Sequence, residues 1–533
     1  MTVLTHGLPW VTLTMNTSVI RAHGEAAPVV AGPPVPLPFT FRLALGLVGV
    51  LLATLTAGIN SRITSIALAD LRGAFGIGYD AGTWFTACYA AAEVAAMFVA
   101  PWLAVTFSLR RFGITMTLIF AGLGVLCPLA PTADSLMLLR ILQGLAAGSL
   151  PPLLMTAALR FLPWHAKIYG LGAYALTATF GPNLALPLSA LWTEGVGWQW
   201  VFWQIVPPCL MGAALIAYGL PQDPLRLERF KGADWQGALL GCVGIVCLVL
   251  ALEQGERLDW LHSPLIRALL VGAGVLLPLF LLHEWTHPQP LIKLQLLARR
   301  NFAYGVSTLA LMMLVVTIGN LPLLYMSQVH GFRPLQVAPL ALGHALAQLL
   351  LAPLVATLIN RRGVDARWVA GLGLLLLSMA CLAGSQLTSA WAMENFYLIQ
   401  MLQAVGQPMV VVPLLMISTG VVHPMEGPFA SAMVNGIRGV CTVVGVALMD
   451  AQLSHREQFH SFVLLDHLAA RGHHPGAGTL ADLAGRVSDQ AHVLAMADAY
   501  LAVIAVLAVM FLLLLFLPTR AYPPPPPKVT APH

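Results

Sequence analysis

The chain has 533 residues, of which 58% are hydrophobic and only 9% are charged, against roughly 25% charged residues in an ordinary soluble domain. So few charges cannot cover the surface of a soluble protein of this length, and the composition predicts a polytopic membrane protein. The formal net charge of +5 is small and is not gathered into a basic patch, which disfavours nucleic-acid binding.

The two ends of the chain read as Pro-rich tails. Residues 1–40 lack the basic start, short apolar stretch and cleavage site of a secretory signal. Residues 519–533 contain a run of prolines, which is typical of a flexible end. The seven cysteines lie in apolar runs without a CxxC pair or a cysteine–histidine cluster, so we expect neither a disulfide nor a metal site.

A membrane-spanning helix needs about 20 mostly apolar residues, and the chain contains about fourteen such stretches. In chain order they are 43–66, 82–106, 112–131, 135–158, 168–192, 199–220, 236–252, 265–285, 302–327, 336–359, 368–387, 395–418, 428–451 and 498–518. The sequence therefore predicts an all-α membrane protein.

The charges of the connecting loops set the predicted orientation. Alternate loops are basic, with Arg110/Arg111, Arg160/Lys167, Arg226/Arg229/Lys231, Lys293/Arg299/Arg300 and Arg361/Arg362/Arg367. The intervening loops carry mainly Asp and Glu, with Arg72, Arg257 and Arg333 as exceptions. Because basic loops stay in the cytoplasm, this alternation predicts a multi-pass membrane protein with both termini cytoplasmic.

One predicted outer loop, 453–497, is long. Its first part has apolar residues near helical spacing, so we expect an amphipathic segment in the periplasm. The His473–His474 pair in this loop has no cysteine or carboxylate at ligand spacing, which favours a solvated loop over a metal site.

Two similar stretches indicate an internal repeat. The sequence APWLA before Arg110 resembles APLVA before Arg361, and RILQ from Arg140 resembles QMLQ from Gln400, both at an offset of about 250 residues. The repeat predicts two parallel six-helix halves with a binding site between them. The predicted domains are 41–220 for the first half, 221–301 for a linker with two extra transmembrane helices, and 302–518 for the second half.

Several motifs make the chain resemble the major facilitator superfamily, and within it the fourteen-span, EmrB-type drug:proton antiporters. They are Arg140-x-x-Gln143-Gly144-x-x-Ala147-Gly148, Gly181-Pro182 with Pro187, Trp198-Gln199-Trp200, Asp234-Trp235-x-Gly237, and Asn435-x-x-Arg438. The resemblance implies a major facilitator fold and conformational roles for Arg110, Arg111, Gly181, Pro182 and Pro187. It also implies a periplasmic membrane-fusion protein and an outer-membrane channel as partners.

The chain departs from the family at two places. Asn60 stands where the family has an aspartate in the first span, and Arg62 is an additional charge. The acidic member of the loop after the second span is missing, although Arg110 and Arg111 remain. The two departures therefore fall on the residues that the resemblance assigns to the proton site and to the gating contact of the family.

Glu93 is the clearest charge at membrane depth, in the middle of an alanine-rich stretch. Such a charge usually faces a cavity and has a partner, and a buried carboxyl can be tuned to load and release a proton. Glu93 is therefore the candidate proton carrier. The alternatives are a structural ion pair with Arg140 or Arg62 and a position at the cavity mouth.

The three membrane arginines have two interpretations each. Arg140 either takes part in proton coupling, as the resemblance implies, or is a fixed counter-charge between helices. Arg438 either contacts substrate or ties the thirteenth span to its neighbours. Arg62 either reaches the outer interface or attracts an anionic substrate.

Uncharged polar residues supply further candidates for the substrate cavity, with a polar seam between helices as the alternative. They are Asn60, Gln143, Asn183, Gln204, Asn320, His344, Gln348, Gln403, Gln407 and Asn435. His344 and Gln348 lie four residues apart and share one helical face.

These observations predict a proton-coupled exporter of amphipathic small molecules, drugs or aromatic or fatty acids, that works by alternating access. No phosphate-binding loop or catalytic motif such as HExxH or GxSxG is found, so no cofactor is expected and the energy source is an ion gradient. Three arginines against one carboxylate favour an anionic or neutral substrate. A facilitator or importer of the same fold is the alternative, and a membrane-embedded enzyme is a remote one.

Overall fold

The computed structural model describes residues 39–163, 166–361, 363–470 and 480–517. Within these ranges the chain is helical and contains no strand. Apart from Phe39 and Thr40, the two predicted tails lie outside the described residues, as does the His473–His474 pair.

The first half and the two linker helices contain eight long helices. These are α1 (Phe41–Ile66), α2 (Tyr79–Phe107), α3 (Leu109–Leu129), α4 (Ala133–Phe161), α5 (Lys167–Ala190), α6 (Trp200–Gly219), α7 (Trp235–Gly255) and α8 (Pro264–Thr286). The second half contains six: α9 (Arg300–Val329), α10 (Pro334–Ile359), α11 (Ala366–Gly384), α12 (Met393–Thr419), α13 (Gly427–Ala470) and α14 (Leu480–Leu515).

Thirteen of these helices in the described residues are long and apolar enough to cross a membrane. The fourteenth, α5, has 24 residues and is less apolar because Gly, Pro, Thr and Asn interrupt it. It packs against α1 and against α10 of the other half. The all-α architecture with two extra central helices is thus confirmed.

Small residues allow the helices of the first half to approach closely. A Cβ on Gly46 of α1 would lie 2.7 Å from the backbone of Gly219 in α6, and one on Gly49 would lie 2.7 Å from Gly212 O. Such contacts replace the hydrophobic driving force that is missing between helices in lipid. The side chain of Thr40 caps α1 by accepting a hydrogen bond from Leu43 N at 3.3 Å.

The two halves meet along two seams. Helix α5 packs against α10 and α12, and α13 packs against α2 and α4. The α7–α8 pair lies outside the first half, where α7 contacts α2 and also α13. A central space between the halves is therefore walled by helices of both halves and by α7.

The predicted outer segment 453–497 is not a separate element. Helix α13 runs without a break for 44 residues, about 66 Å at 1.5 Å per residue, and α14 has 36 residues. Since the hydrocarbon core is about 30 Å thick, both helices continue well beyond it. Ion pairs join these extensions: Asp498 Oδ2 lies 2.6 Å from both Arg456 and His460, and His492 lies 3.2 Å from Glu457.

Candidate functional site

A charged cavity of about 360 Å³ lies between the two halves. Its walls come from α1, α2, α4, α5, α7, α9 and α13. The ionisable residues in the wall are Arg62, Glu93, Arg140, Glu253 and Arg438. A smaller cavity of about 180 Å³ shares Arg62, Ser65 and Pro182 with it and adds Asn183 and Asn320. The two cavities together form one polar space at the interface of the halves.

Glu93 lies in the middle of α2 and faces this cavity. The hydroxyl of Ser61 on α1 donates a hydrogen bond to Glu93 Oε2 at 3.3 Å. The structure thus gives Glu93 a neutral partner and places it inside the cavity wall.

The glycines of the fourth-span motif explain how α2 is held at this point. A Cβ on Gly144 would lie 2.5 Å from Tyr89 O, and one on Gly148 would lie 2.0 Å from Glu93 O. Only glycine permits this approach of α4 to the α2 backbone. The glycines of the motif therefore fix the position of Glu93 through contacts between α4 and the backbone of α2.

Arg140 is held by uncharged groups. Its guanidinium donates to Gln143 Oε1 at 2.6 Å and lies 3.9 Å from the centre of the Tyr89 ring. A cation over an aromatic face is stabilised by the ring quadrupole. Arg140 is therefore a fixed positive charge at the cavity wall, and Gln143 positions it from behind.

The thirteenth span contacts the first half through the two residues of its motif. Asn435 Oδ1 accepts a hydrogen bond from the Tyr174 hydroxyl of α5 at 2.7 Å. Arg438 donates to Thr177 Oγ1 at 3.1 Å and also lines the cavity. Asn435 thus serves the seam between the halves, and Arg438 belongs to both the seam and the cavity.

Glu253 of α7 is a cavity residue that the sequence reasoning missed. The seventh span was predicted to end at 252, and Glu253 was assigned to an outer loop. The helix instead continues to Gly255, and Thr83 of α2 donates to Gln254 Oε1 at 3.3 Å. The run Glu253-Gln254-Gly255 without a helix breaker before it was the available signal.

A buried polar seam connects α5, α10 and α12. Asn183 donates to Gln348 Oε1 at 3.4 Å, and Gln348 donates to Gln407 Oε1 at 2.7 Å. His344 and Gln403 are buried on the same helices. Of these residues only Asn183 lines the polar space.

Two other candidates lie behind the wall or away from it. Asn60 is fully buried, and neither its amide nitrogen nor its oxygen has a hydrogen-bond partner in the described residues. Gln204 lies outside the lining of the polar space, at the start of the sixth span, and accepts a hydrogen bond from Trp192 Nε1 at 2.7 Å. Because Gln204 is engaged there, the structure does not support its assignment to the substrate cavity.

The predicted conformational residues occupy two places. Arg110 and the exposed Arg111 lie in the first turn of α3, which Ser108 precedes with a φ of 78°. Gly181, Pro182 and Pro187 lie inside α5, and Pro182 touches the cavity. A proline inside a helix removes one backbone donor, so α5 is weakened where it faces the cavity.

A larger cavity of about 730 Å³ lies on the opposite side of α2, between α2, α3, α4 and α7. Its lining is apolar, with Cys88, Ala91, Ala95, Cys242 and Val246 among its residues. It contains no ionisable carboxyl or arginine. Of these two cavities, the smaller, central one therefore holds the groups able to bind protons or charged molecules.

Comparison with known proteins places this arrangement in a family. Residues 50–446 match the Major Facilitator Superfamily. The multidrug export protein EmrB of Haemophilus influenzae is 25% identical over 428 residues, which cover 78% of this chain and 82% of that protein. The fatty acid resistance protein FarB of Neisseria gonorrhoeae is 26% identical over 449 residues, which cover 82% of this chain and 85% of that protein.

Solved structures agree on the fold. The human organic anion transporter MFSD10 aligns with a TM-score of 0.55 at 13% identity, covering 89% of this chain and 99% of that one. The proton:xylose symporter XylE aligns with a TM-score of 0.55 at 14% identity, covering 90% and 97%. This chain is a multi-span membrane transporter that belongs to the major facilitator superfamily.

Proposed function

We propose that this transporter is a proton-coupled exporter of amphipathic small molecules in the bacterial inner membrane. The observation that carries the proposal is Glu93, a carboxyl bound by Ser61 inside a cavity that both halves line. A carboxyl group at membrane depth generally lies on the pathway of a proton or of a substrate. Its place between the halves is where a rocking motion would expose it first to one side and then to the other.

Glu93 takes the role of proton carrier because the family's first-span aspartate is Asn60 here. Moving one proton across the membrane potential supplies about 2.3 kcal/mol per 100 mV. Exchange follows if the protonated chain and the substrate-bound chain prefer opposite orientations. Arg140, fixed against Gln143 and Tyr89, keeps a positive charge in the cavity in every protonation state of Glu93.

The charges of the cavity point to neutral or anionic amphiphiles. Three arginines against two glutamates leave a formal charge of +1 when both carboxyls are ionised, and protonation of either makes the cavity more positive. FarB is named for fatty acid resistance and EmrB for multidrug export. An amphiphile with an acidic head fits both the charge and these names.

The extensions of α13 and α14 are the proposed docking site for a periplasmic membrane-fusion protein, which would connect the transporter to an outer-membrane channel. They reach beyond the hydrocarbon core and carry the ion pairs of Arg456, His460 and Asp498. With the basic loops cytoplasmic, these extensions are periplasmic. Deleting 455–495 is expected to abolish co-purification with the fusion protein, and retained co-purification would contradict this assignment.

The function is tested in proteoliposomes with an imposed pH gradient. Wild type and Glu93→Gln are compared for proton release on addition of a panel of anionic, neutral and cationic amphiphiles. We expect wild type to exchange protons for substrate and Glu93→Gln to equilibrate substrate without concentrating it. Substrate movement without proton flux in the wild type would contradict antiport and establish a facilitator instead.

A matched control removes a carboxyl outside the cavity. Asp134→Asn is suitable because Asp134 is exposed at the start of α4 and lies outside the cavity lining. We expect this variant to keep proton exchange. Equal loss in both variants would show that the assay reports folding and not the chemistry of Glu93.

A further inference from the structure

The open end of the α7–α8 hairpin, where α7 begins and α8 ends, holds a cluster of ionisable side chains that the central cavity does not use. Asp234 precedes α7, and its Oδ1 accepts a hydrogen bond from Gly237 N at 2.7 Å. His283 near the end of α8 places Nε2 2.7 Å from the same oxygen, and His287 places Nδ1 3.8 Å from Asp234 Oδ2. One ligand atom from each of the three lies within 4.8 Å of the others.

A second buried carboxylate accompanies the cluster. Glu284 is 0% exposed and Asp234 is 3% exposed. Glu284 Oε1 and Asp234 Oδ2 have no hydrogen-bond partner in the described residues. Both oxygens face one point, since a Cβ on Gly237 would lie 2.6 Å from the first and 2.3 Å from the second. Two such oxygens in a buried place require a cation or a shared proton between them.

Each of the two histidines places one ring nitrogen near Asp234. His287 Nδ1 accepts a hydrogen bond from Gln289 N at 3.2 Å, so this nitrogen is the deprotonated one. The same nitrogen lies 3.8 Å from Asp234 Oδ2, and a metal ion bound between the two would take this lone pair in place of the Gln289 N–H. The rings of His283 and His287 are stacked with their centroids 5.3 Å apart, so the two imidazoles hold one another in place beside Asp234.

We propose that Asp234, His283 and His287 bind one divalent transition-metal ion of the zinc type. Zinc takes histidine nitrogen and carboxylate oxygen at about 2.0–2.2 Å, and tetrahedral geometry then places the ligand atoms about 3.4 Å apart. The distances of 2.7 and 3.8 Å lie on either side of this value. Calcium and magnesium favour sites of oxygen alone, and two imidazoles therefore select a transition metal.

Glu284 supports the site and connects it to the chain that follows. Its Oε2 accepts a hydrogen bond from Ile292 N at 3.0 Å, while Oε1 faces Asp234. The bound ion would therefore join the start of α7, the end of α8 and the segment leading into the second half. The sequence-based expectation of no metal considered only the cysteines and the His473–His474 pair, and Asp234 and His283 are too far apart in sequence to form a spacing motif.

The test uses the full chain purified with a histidine-free affinity tag. After metal removal and dialysis against trace Zn²⁺, we expect about one equivalent of zinc per chain by elemental analysis. The His283→Asn/His287→Asn double variant is expected to lose it, and Glu284→Gln is expected to weaken zinc affinity about 10-fold. Added Zn²⁺ should raise the Tm of the wild type and leave that of the double variant unchanged.

The matched control is His262→Asn at the opposite end of the same hairpin. His262 pairs with Asp259 at 3.3 Å, and both side chains are more than four-fifths exposed. This variant is expected to retain zinc. Zinc content that is unchanged in the double variant, or absent from the wild type, would overturn the proposal. If the double variant does not fold, His287→Gln alone is used, because His287 lies outside α8. The result is independent of Glu93 and of transport.

Discussion

Gly148 of α4 and Glu93 of α2 meet backbone to backbone, because a Cβ on Gly148 would lie 2.0 Å from the carbonyl oxygen of Glu93. The motif residue is thus in contact with the one acidic residue in the middle of the second span. A side chain in place of Gly148 would push α2 and α4 apart. Because Glu93 lies on α2, its carboxyl would move within the cavity.

The Gly148→Ala variant is therefore expected to lose both stability and coupling. Forcing an extra methyl group into a packed contact costs about 1–3 kcal/mol, and the displaced α2 would misplace the carboxyl. The measurements are Tm in detergent and proton exchange in proteoliposomes. Gly122→Ala is the control, since a Cβ on Gly122 of α3 would meet no atom within 4 Å. An unchanged Gly148→Ala variant would show that α4 does not fix Glu93.

The Glu253→Gln variant tests the electrostatic role of α7. Removing one negative charge raises the formal charge of the cavity from +1 to +2 when Glu93 is ionised. We expect anionic amphiphiles to bind more tightly by about 1 kcal/mol, a factor of about five in Kd, and cationic ones to bind more weakly. Binding is measured by titration calorimetry in detergent.

The control for this prediction is Asp259→Asn, an exposed acidic residue that follows α7 outside the cavity. It removes the same charge from the same side of the hairpin. If the Kd values of anions and cations change equally in Glu253→Gln, Glu253 does not act on the charge of the bound molecule. The same conclusion follows if Asp259→Asn changes these Kd values as Glu253→Gln does.

The sequence predicted the span order because loop charge and hydropathy are local properties, and it predicted the two halves because an internal repeat can be recognised in the sequence itself. Gly144 and Gly148 were recognised only as members of a motif, and their contact with α2 required the structure. Glu253 was missed because hydropathy does not place a helix end to within one residue. Ending α7 at 252 puts Glu253 in a loop, whereas continuing it to Gly255 puts the side chain in the cavity wall.

Two other differences between the sequence-based expectation and the structure, at the segment 453–497 and at Gln204, have a physical reason. The segment 453–497 was expected to be separate because its charges interrupt the apolar pattern, yet pairing between the extensions of α13 and α14, as in Arg456–Asp498, lets both helices continue into water. Gln204 was assigned to the cavity because its side chain is polar. Polarity alone does not reveal that the side-chain oxygen of Gln204 accepts a hydrogen bond from Trp192.

The Glu426 carboxylate links the start of α9 to the turn before α13, and it gives a pH dependence of stability. Arg299 binds it with two hydrogen bonds of 2.7 and 3.0 Å, and these bonds hold the pKa of Glu426 below its ordinary value. A lowered pKa in the folded state stabilises the fold above the ordinary value of about 4.3, and this stabilisation is lost as the pH falls below it.

The Tm difference between wild type and Glu426→Gln is therefore expected to be positive at pH 7 and to shrink as the pH falls below about 4.3. Because the pair is partly exposed, its contribution is about 1 kcal/mol or less. Glu228→Gln, at an exposed site in the linker, should show no such trend. A Tm difference that does not change with pH would exclude this role.

The hydrogen bond from Tyr174 to Asn435 is the last contact for which the structure offers a matched pair of variants. Tyr174→Phe leaves the buried Asn435 Oδ1 without its donor at the seam between the halves, which costs about 1–3 kcal/mol. Tyr500→Phe is the control, because its hydroxyl is buried without a hydrogen-bond partner in the described residues. We expect Tm and the transport rate to change in Tyr174→Phe, with Tyr500→Phe neutral or slightly stabilised. Since Tyr174 belongs to α5 and Asn435 to α13, a change in transport rate that exceeds the change in Tm would locate this bond among the contacts that form and break as the halves move. Identical behaviour of the two variants would show that the bond has no role in holding the halves together.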